Sequence, residues 1–264
     1  MGQKLPLRVA IAGVISPKAT FDAYEGLLDY LAVRLERPVQ LLQRTTYAET
    51  NQLIRSGEAA LGFVCGGAYV EGYRDFGMEL LVVPEVRHQT TYYSYVIVPK
   101  DSKVEKLSGL QGHTFAFSDP LSNSGHLATL WQLLELGESP NSFFSSTHFT
   151  YSHDNSIRAV ADHLVEGAAA DSLVYEYLVV RDPTYGARTR VIEKAGPYAN
   201  PPVVVHPALD PALKTELRTL LLNMASDPAG KAALAPLMID RFVTLDDAAY
   251  DSIRVMAALV RGWN

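Results

Sequence analysis

The sequence predicts an α/β fold of two lobes joined by two crossing strands. Strand and helix patterns alternate from the start of the chain, and Thr91 to Val98 is an aromatic, β-branched run long enough to cross between domains. The proline-rich segment Gly196 to Pro202 makes a second stiff, extended return.

In order, Leu7 to Ala12 is an apolar strand, and the loop Gly13 to Ala19 leads into a helix with Phe21, Tyr24, Leu27, Leu28 and Leu31 at helical spacing. Val39 to Gln43 is the next strand. Thr46-Tyr47-Ala48-Glu49 is a capping-box pattern opening a helix that ends at Gly57. Ala60 to Val64 returns as a strand ending in Cys65-Gly66-Gly67, where the glycines permit a tight turn or a close backbone approach to a ligand. Strands separated by single helices predict a parallel sheet, so the loops after Ala12, Gln43 and Val64 should share one edge. Leu80 to Val83 is a further strand, followed by the crossing run.

A second α/β unit then reads as strand Thr114 to Ser118, helix Gly125 to Leu136, strand Thr147 to Tyr151, helix Ser156 to Glu166 and strand Thr189 to Glu193. Beyond the second crossing, Val203 to His206 is a strand. Asp210-Pro211 and Asp227-Pro228 each place an N-cap before a proline at the first helical position. An amphipathic helix from about Asp247 to Val260 closes the chain, and these last elements most simply rejoin the first unit. Lobe 1 is therefore expected at 1–91 and 200–264, and lobe 2 at 92–199.

A chain of 264 residues, 48% hydrophobic and 20% charged, has the composition of an ordered globular protein. Its net charge of −6 argues against nucleic-acid binding, which usually needs a basic face. The single Cys65 forms no internal disulfide, and no Cys/His grouping has metal-ligand spacing, so neither a metal nor a cofactor is expected. No apolar run approaches the roughly 18 to 20 residues of a membrane span. Met1-Gly2-Gln3-Lys4 is followed at once by a strand, so a signal sequence is expected to be absent from this chain even if the protein is exported.

The chemistry concentrates in Thr114 to His126. A strand tip, turned by Asp119-Pro120, feeds a helix start of Ser122-Asn123-Ser124-Gly125. Free backbone N–H groups, the positive end of the helix dipole and two serine hydroxyls suit an oxyanion, although Ser and Asn also cap helices without any ligand. His153, in Tyr151-Ser152-His153-Asp154-Asn155-Ser156, again follows a strand and opens a helix. If the lobes are arranged as drawn, Tyr47 and Tyr93 face the same cleft. Each residue also has a structural reading: the chain holds 14 tyrosines, an isolated histidine often caps a helix, and Asp171-Ser172 reads as a turn or cap at a strand end.

Together these pieces resemble the phosphonate and phosphite periplasmic binding proteins, the substrate-capturing components of ABC importers. The resemblance rests on Asp119 to Gly125, Ser152 to Val160, Tyr92-Tyr93-Ser94, Asp101-Ser102 and the Tyr47 helix start, then on Asp227 to Lys231, Phe242-Val243 and Tyr250-Asp251. It implies a two-lobed type II periplasmic binding fold that closes on a small phosphorus oxyanion such as a phosphonate, phosphite or phosphate-like ion. Ser122, Asn123, Ser124 and Gly125 would bind its oxygens, His153 would donate from its ring, Tyr47 and Tyr93 would donate phenol hydrogens, and Asp171 is a further candidate contact. The resemblance further implies a periplasmic or extracytoplasmic monomer that hands its ligand to an ABC permease.

Two positions depart from the family pattern. Asn123 stands where a second Ser or Thr is common and has a different reach, and the second crossover carries no acid to meet a ligand amine, leaving Asp171 and Glu176 as the nearby carboxylates. An extracytoplasmic sensor domain with the same fold is the alternative function. A hydrolase is the weakest reading, because Ser122, Ser124 and His153 occur without a Gly-x-Ser-x-Gly elbow.

Overall fold

A computed structural model describes residues 5–263, so the expectation concerning Met1 to Lys4 lies outside the described residues. The chain runs β1 (Leu7–Ile11), α1 (Pro17–Leu35), β2 (Val39–Gln43), α2 (Tyr47–Arg55), β3 (Leu61–Phe63), α3 (Gly66–Phe76), β4 (Glu79–Glu85) and β5 (Thr91–Pro99). It continues with β6 (Thr114–Phe117), α4 (Ala128–Glu135), α5 (Pro140–Phe143), β7 (Ser146–Phe149), α6 (His153–Ala161), β8 (Gly167–Asp171), α7 (Ser172–Arg181) and α8 (Thr184–Arg188). Last come β9 (Thr189–Ala199), β10 (Val203–Val205), α9 (Pro211–Asn223), α10 (Pro228–Leu234), β11 (Arg241–Val243) and α11 (Asp251–Trp263). Among the described residues, no helix is long and apolar enough to cross a membrane.

These elements form two compact units. The first holds the described chain up to Gly13, Pro17–Thr91 and Ala199–Tyr250, and the second holds Val14–Ser16, Tyr92–Tyr198 and the described chain from Asp251. The expected boundaries therefore change at three places, the smallest being Ala199, which belongs to the first unit. Val14 to Ser16 join the second unit because Val14 accepts the His153 backbone N–H at 2.9 Å and the Ser16 N–H donates to Asp154 Oδ1 at 3.0 Å. The final helix also joins it, because Val260 is buried in that unit's core. Only the short turn Asp247–Tyr250 stays with the first unit, where the Tyr250 hydroxyl donates to the Asn200 carbonyl at 2.7 Å.

The first unit's sheet has the order β11-β4-β10-β3-β1-β2. β1 pairs in parallel with β2, from Leu7 opposite Val39 to Ile11 opposite Gln43, and with β3 on its other side. Their carboxyl ends thus share one edge, as the sequence predicts, whereas the returning β10 runs antiparallel to β3 and β4. Buried Leu7, Val9 and Ile11 pack with Leu27, Leu31 and Leu35 of α1 and with Leu217 and Leu221 of α9. Phe21, expected on the buried face of α1, lies off that stripe and is 50% exposed. The Cys65-Gly66-Gly67 turn is also corrected: both glycines begin α3, a helix the sequence reading omits, and pack there without side chains beside buried Ala68 and Tyr69.

The second unit's sheet has the order β7-β6-β8-β5-β9, with β6 parallel to β7 and β8, and β5 antiparallel to β8. Period-two alternation sorts its side chains onto two covered faces. Val96, Val98, Phe115 and Phe117 meet Leu130, Leu133 and Phe144 on one face, while Tyr95, Ile97 and Ala116 meet Ile157, Val160 and Val174 on the other. The parallel register brings the carboxyl ends of β6, β7 and β8 to one edge of the sheet.

Candidate functional site

At that edge three strand-to-helix junctions of the second unit are tied together by side chains. The first follows β6. Ser122 is the N-cap of a π-helical turn, Asn123–Leu127, that continues into α4, and its Oγ accepts the Gly125 N–H at 3.0 Å. The expected helix start at Gly125 therefore moves to Asn123, and the first turn is wider than an α-turn: the Ala128 N–H bonds to the Asn123 carbonyl five residues back. The second junction opens α6 at His153, three residues earlier than the apolar periodicity suggests. At the third, Asp171 ends β8 and caps α7, with Oδ1 accepting from the Leu173 N–H at 2.7 Å and the Val174 N–H at 3.4 Å.

His153 connects all three. Its Nδ1 accepts the Asp171 backbone N–H at 3.1 Å, so in the neutral ring the proton sits on Nε2. That nitrogen lies 3.5 Å from Ser122 Oγ. The ring is fully buried, and desolvation pushes its pKa down to about 4 against a raising influence from Asp154, which keeps it neutral at physiological pH. A neutral, oriented N–H donor results. Asp171 is the counterpart: burial raises its pKa to about 7, opposed by the bonds from Leu173, Val174 and Ser124 and reinforced by Glu176. Ser124 Oγ donates to Asp171 Oδ2 across a long 3.4 Å, and Ser94, which pairs with Asp171 between β5 and β8, donates to the Ser124 carbonyl at 2.6 Å.

Sterics fix one position in this junction. A Cβ on Gly125 would stand 1.8 Å from Ser118 Oγ and 2.7 Å from His153 Cε1. Only a residue without a side chain fits between strand tip and histidine. Ser118 and Ser94, buried on either side of the serine turn, and Tyr92 are neighbours the sequence reading does not single out as site residues. Ser94 faces Asp171 through the β5–β8 register, and that pairing has no signature in the sequence itself.

The predicted residues thus fall into two sets. Ser122, Asn123, Ser124, Gly125, His153 and Asp171 come together, all of them in the second unit. Asn123 is held by Tyr92, whose hydroxyl accepts its Nδ2–H at 3.0 Å, so one hydrogen expected to reach a ligand is engaged within the protein. Tyr93, 39% exposed, lies beside the group: its backbone N–H donates to Ser172 Oγ at 3.0 Å. Tyr47 belongs to the first unit, fully buried at the start of α2 behind the Thr46–Glu49 capping box.

In the first unit, ligand atoms of Glu85, His88 and Asp240 lie within 4.8 Å of one another. Arg241 engages both oxygens of Glu85, at 3.0 and 3.1 Å, and so competes for the most buried of the three.

Two α/β units of this topology define the two-lobed periplasmic binding fold. A binding-protein component of an ABC phosphonate transporter from Pseudomonas aeruginosa superposes with a TM-score of 0.92 at 22% identity, covering 98% of this chain and 87% of that one. A Prochlorococcus marinus protein solved in complex with methylphosphonate gives 0.88 at 17% identity, covering 97% and 98%. The periplasmic aliphatic sulphonate binding protein of Escherichia coli is more distant, at 0.64 and 12% identity, covering 98% and 93%. The chain belongs to the periplasmic substrate-binding proteins of phosphonate ABC transporters, whose family model matches residues 9–250. It is accordingly an extracytoplasmic transport component and not an enzyme.

Proposed function

We propose that the chain, acting as a monomer without nucleic-acid partners, captures a small phosphorus oxyanion at the 122–125 turn and delivers it to the importer's permease. The observation that carries this reading is the buried, neutral His153, whose Nε2 proton is directed at Ser122 beside the start of a 13-residue helical run (Asn123 to Glu135). Ser122 Oγ already accepts the Gly125 N–H, so its own hydrogen remains to be donated. Backbone N–H groups of the first turn lack intrahelical partners and add the positive end of the helix dipole. Tyr93 supplies a phenol donor in this reading. Donors to an ionised oxygen contribute about 1.5 to 3 kcal/mol each, so a handful suffices for tight binding without lysine or arginine.

A thermal-shift screen with phosphonates, phosphite, phosphate, sulfate and small sulfonates tests the ligand class, because a ligand that binds the native state raises the melting temperature. A shift with phosphorus oxyanions is expected; none would overturn the reading. Calorimetry on Ser124→Ala and His153→Ala should show affinity reduced by about tenfold or more, since one lost charge-assisted bond exceeds about 1.4 kcal/mol. Unchanged affinity in both variants would remove these residues from the site.

A further inference from the structure

Asp171 is a carboxyl group placed where an anion is to be bound. It is 2% exposed, and no lysine or arginine among the described residues pairs with it. One oxygen, Oδ1, is occupied by capping α7. The other, Oδ2, receives only the long bond from Ser124, a residue of the oxyanion turn, and retains acceptor capacity. The groups around it add no positive charge. From α6 it meets the neutral His153, with Asp154 next in the chain; from α7, Glu176; and from β5, the uncharged Ser94. A second negative oxygen at Ser124 would therefore repel Oδ2 across a few ångströms in a desolvated setting, unless a proton lies between them.

We propose that Asp171 makes the site select an oxyanion that brings, or shares, a proton: a hydrogen-phosphonate is held with one proton between its oxygen and Asp171 Oδ2, and an anion without one, such as sulfate, is rejected. This rests on the oxyanion reading of the 122–125 turn. Its chemistry is that of two acceptors, which bond when one is protonated and repel when neither is. The same turn that binds the charge thus carries the group that counts protons.

The test compares methylphosphonate with sulfate by calorimetry, in buffers of different ionisation enthalpy, on the wild type and Asp171→Asn. Asparagine keeps a capping oxygen for α7 and can donate from Nδ2 to an unprotonated oxyanion. At alkaline pH, where Asp171 and methylphosphonate are both ionised before they meet, the wild type is expected to take up about one proton on binding. Asp171→Asn should abolish that uptake and lower the methylphosphonate-to-sulfate affinity ratio by about tenfold or more through a gain in sulfate binding. On the wild type alone, sulfate affinity should fall by up to about tenfold per pH unit as pH rises above the point where Asp171 ionises. That readout does not depend on the variant folding. A flat sulfate profile, or an unaltered ratio in Asp171→Asn, overturns the proposal while leaving oxyanion binding intact; failure of the wild type to bind any phosphonate overturns both.

Discussion

His153 and Asp171 are buried at the same junction with their protonation balanced in opposite senses. Folded His153 holds its proton only below about pH 4, against an ordinary 6.5, so between those values the unfolded chain binds more protons and stability falls as pH falls. For a fully buried ring the loss is on the order of 3 kcal/mol. Folded Asp171 keeps its proton up to about pH 7, against an ordinary 3.8, so its contribution is complete below 3.8 and is lost as pH rises through 7. Chemical unfolding at pH 4.5, 6 and 8 should separate the two. His153→Gln is expected to flatten the acid limb, and Asp171→Asn to gain most relative to wild type at pH 8. Parallel profiles in all three proteins would mean that neither group titrates as its burial requires.

At the scale of elements, the serine turn depends on an absence of side chain. Gly125→Ala forces its Cβ against Ser118 and His153, both buried, and should cost about 1 to 3 kcal/mol of stability, as overpacking does. Pairing it with Ser118→Gly, which removes the nearest obstruction, should recover part of the loss in a denaturation experiment; no recovery would locate the strain elsewhere. Such contacts explain what was legible in the sequence. The Thr46–Glu49 capping box and the Asp210 and Asp227 caps were readable because donor and acceptor lie within three residues of each other. Helix α3 was not, since Gly66-Gly67 reads as punctuation until burial beside Ala68 and Tyr69 is known. Nor was the π-turn, whose one-residue widening is set by the Leu127 and Ala128 N–H groups reaching carbonyls five residues back. Ser122, Ser124 and His153 stood out as a pattern, but the tautomer of His153 depends on the Asp171 N–H, which only the fold brings near.

For the whole molecule, connectivity matters more than either core alone. The chain passes from the first unit to the second at Thr91, back at Tyr198 and across again at Tyr250. The sequence predicts the first two passages from composition, a β-rich run and a proline-rich one. The third escaped because an amphipathic helix advertises that it will be buried, not against which partner. A chain ending at Tyr250 should therefore retain cooperative unfolding of the first unit, while hydrogen exchange in β5, β6 and α4 accelerates once Val260 no longer covers Leu133 and its neighbours. Unaltered protection there would show the last helix to be dispensable.

The seating of α11 also sets a timetable. The first core waits for Leu217, Leu221 and Phe242, and the second for Val260, so neither is complete until the ribosome has passed those residues. At roughly 5 to 20 residues per second, synthesis takes many seconds during which both hydrophobic surfaces stay open. Native packing of each core is thus deferred until those residues emerge, leaving a long interval in which the nascent polypeptide is still a pliable thread.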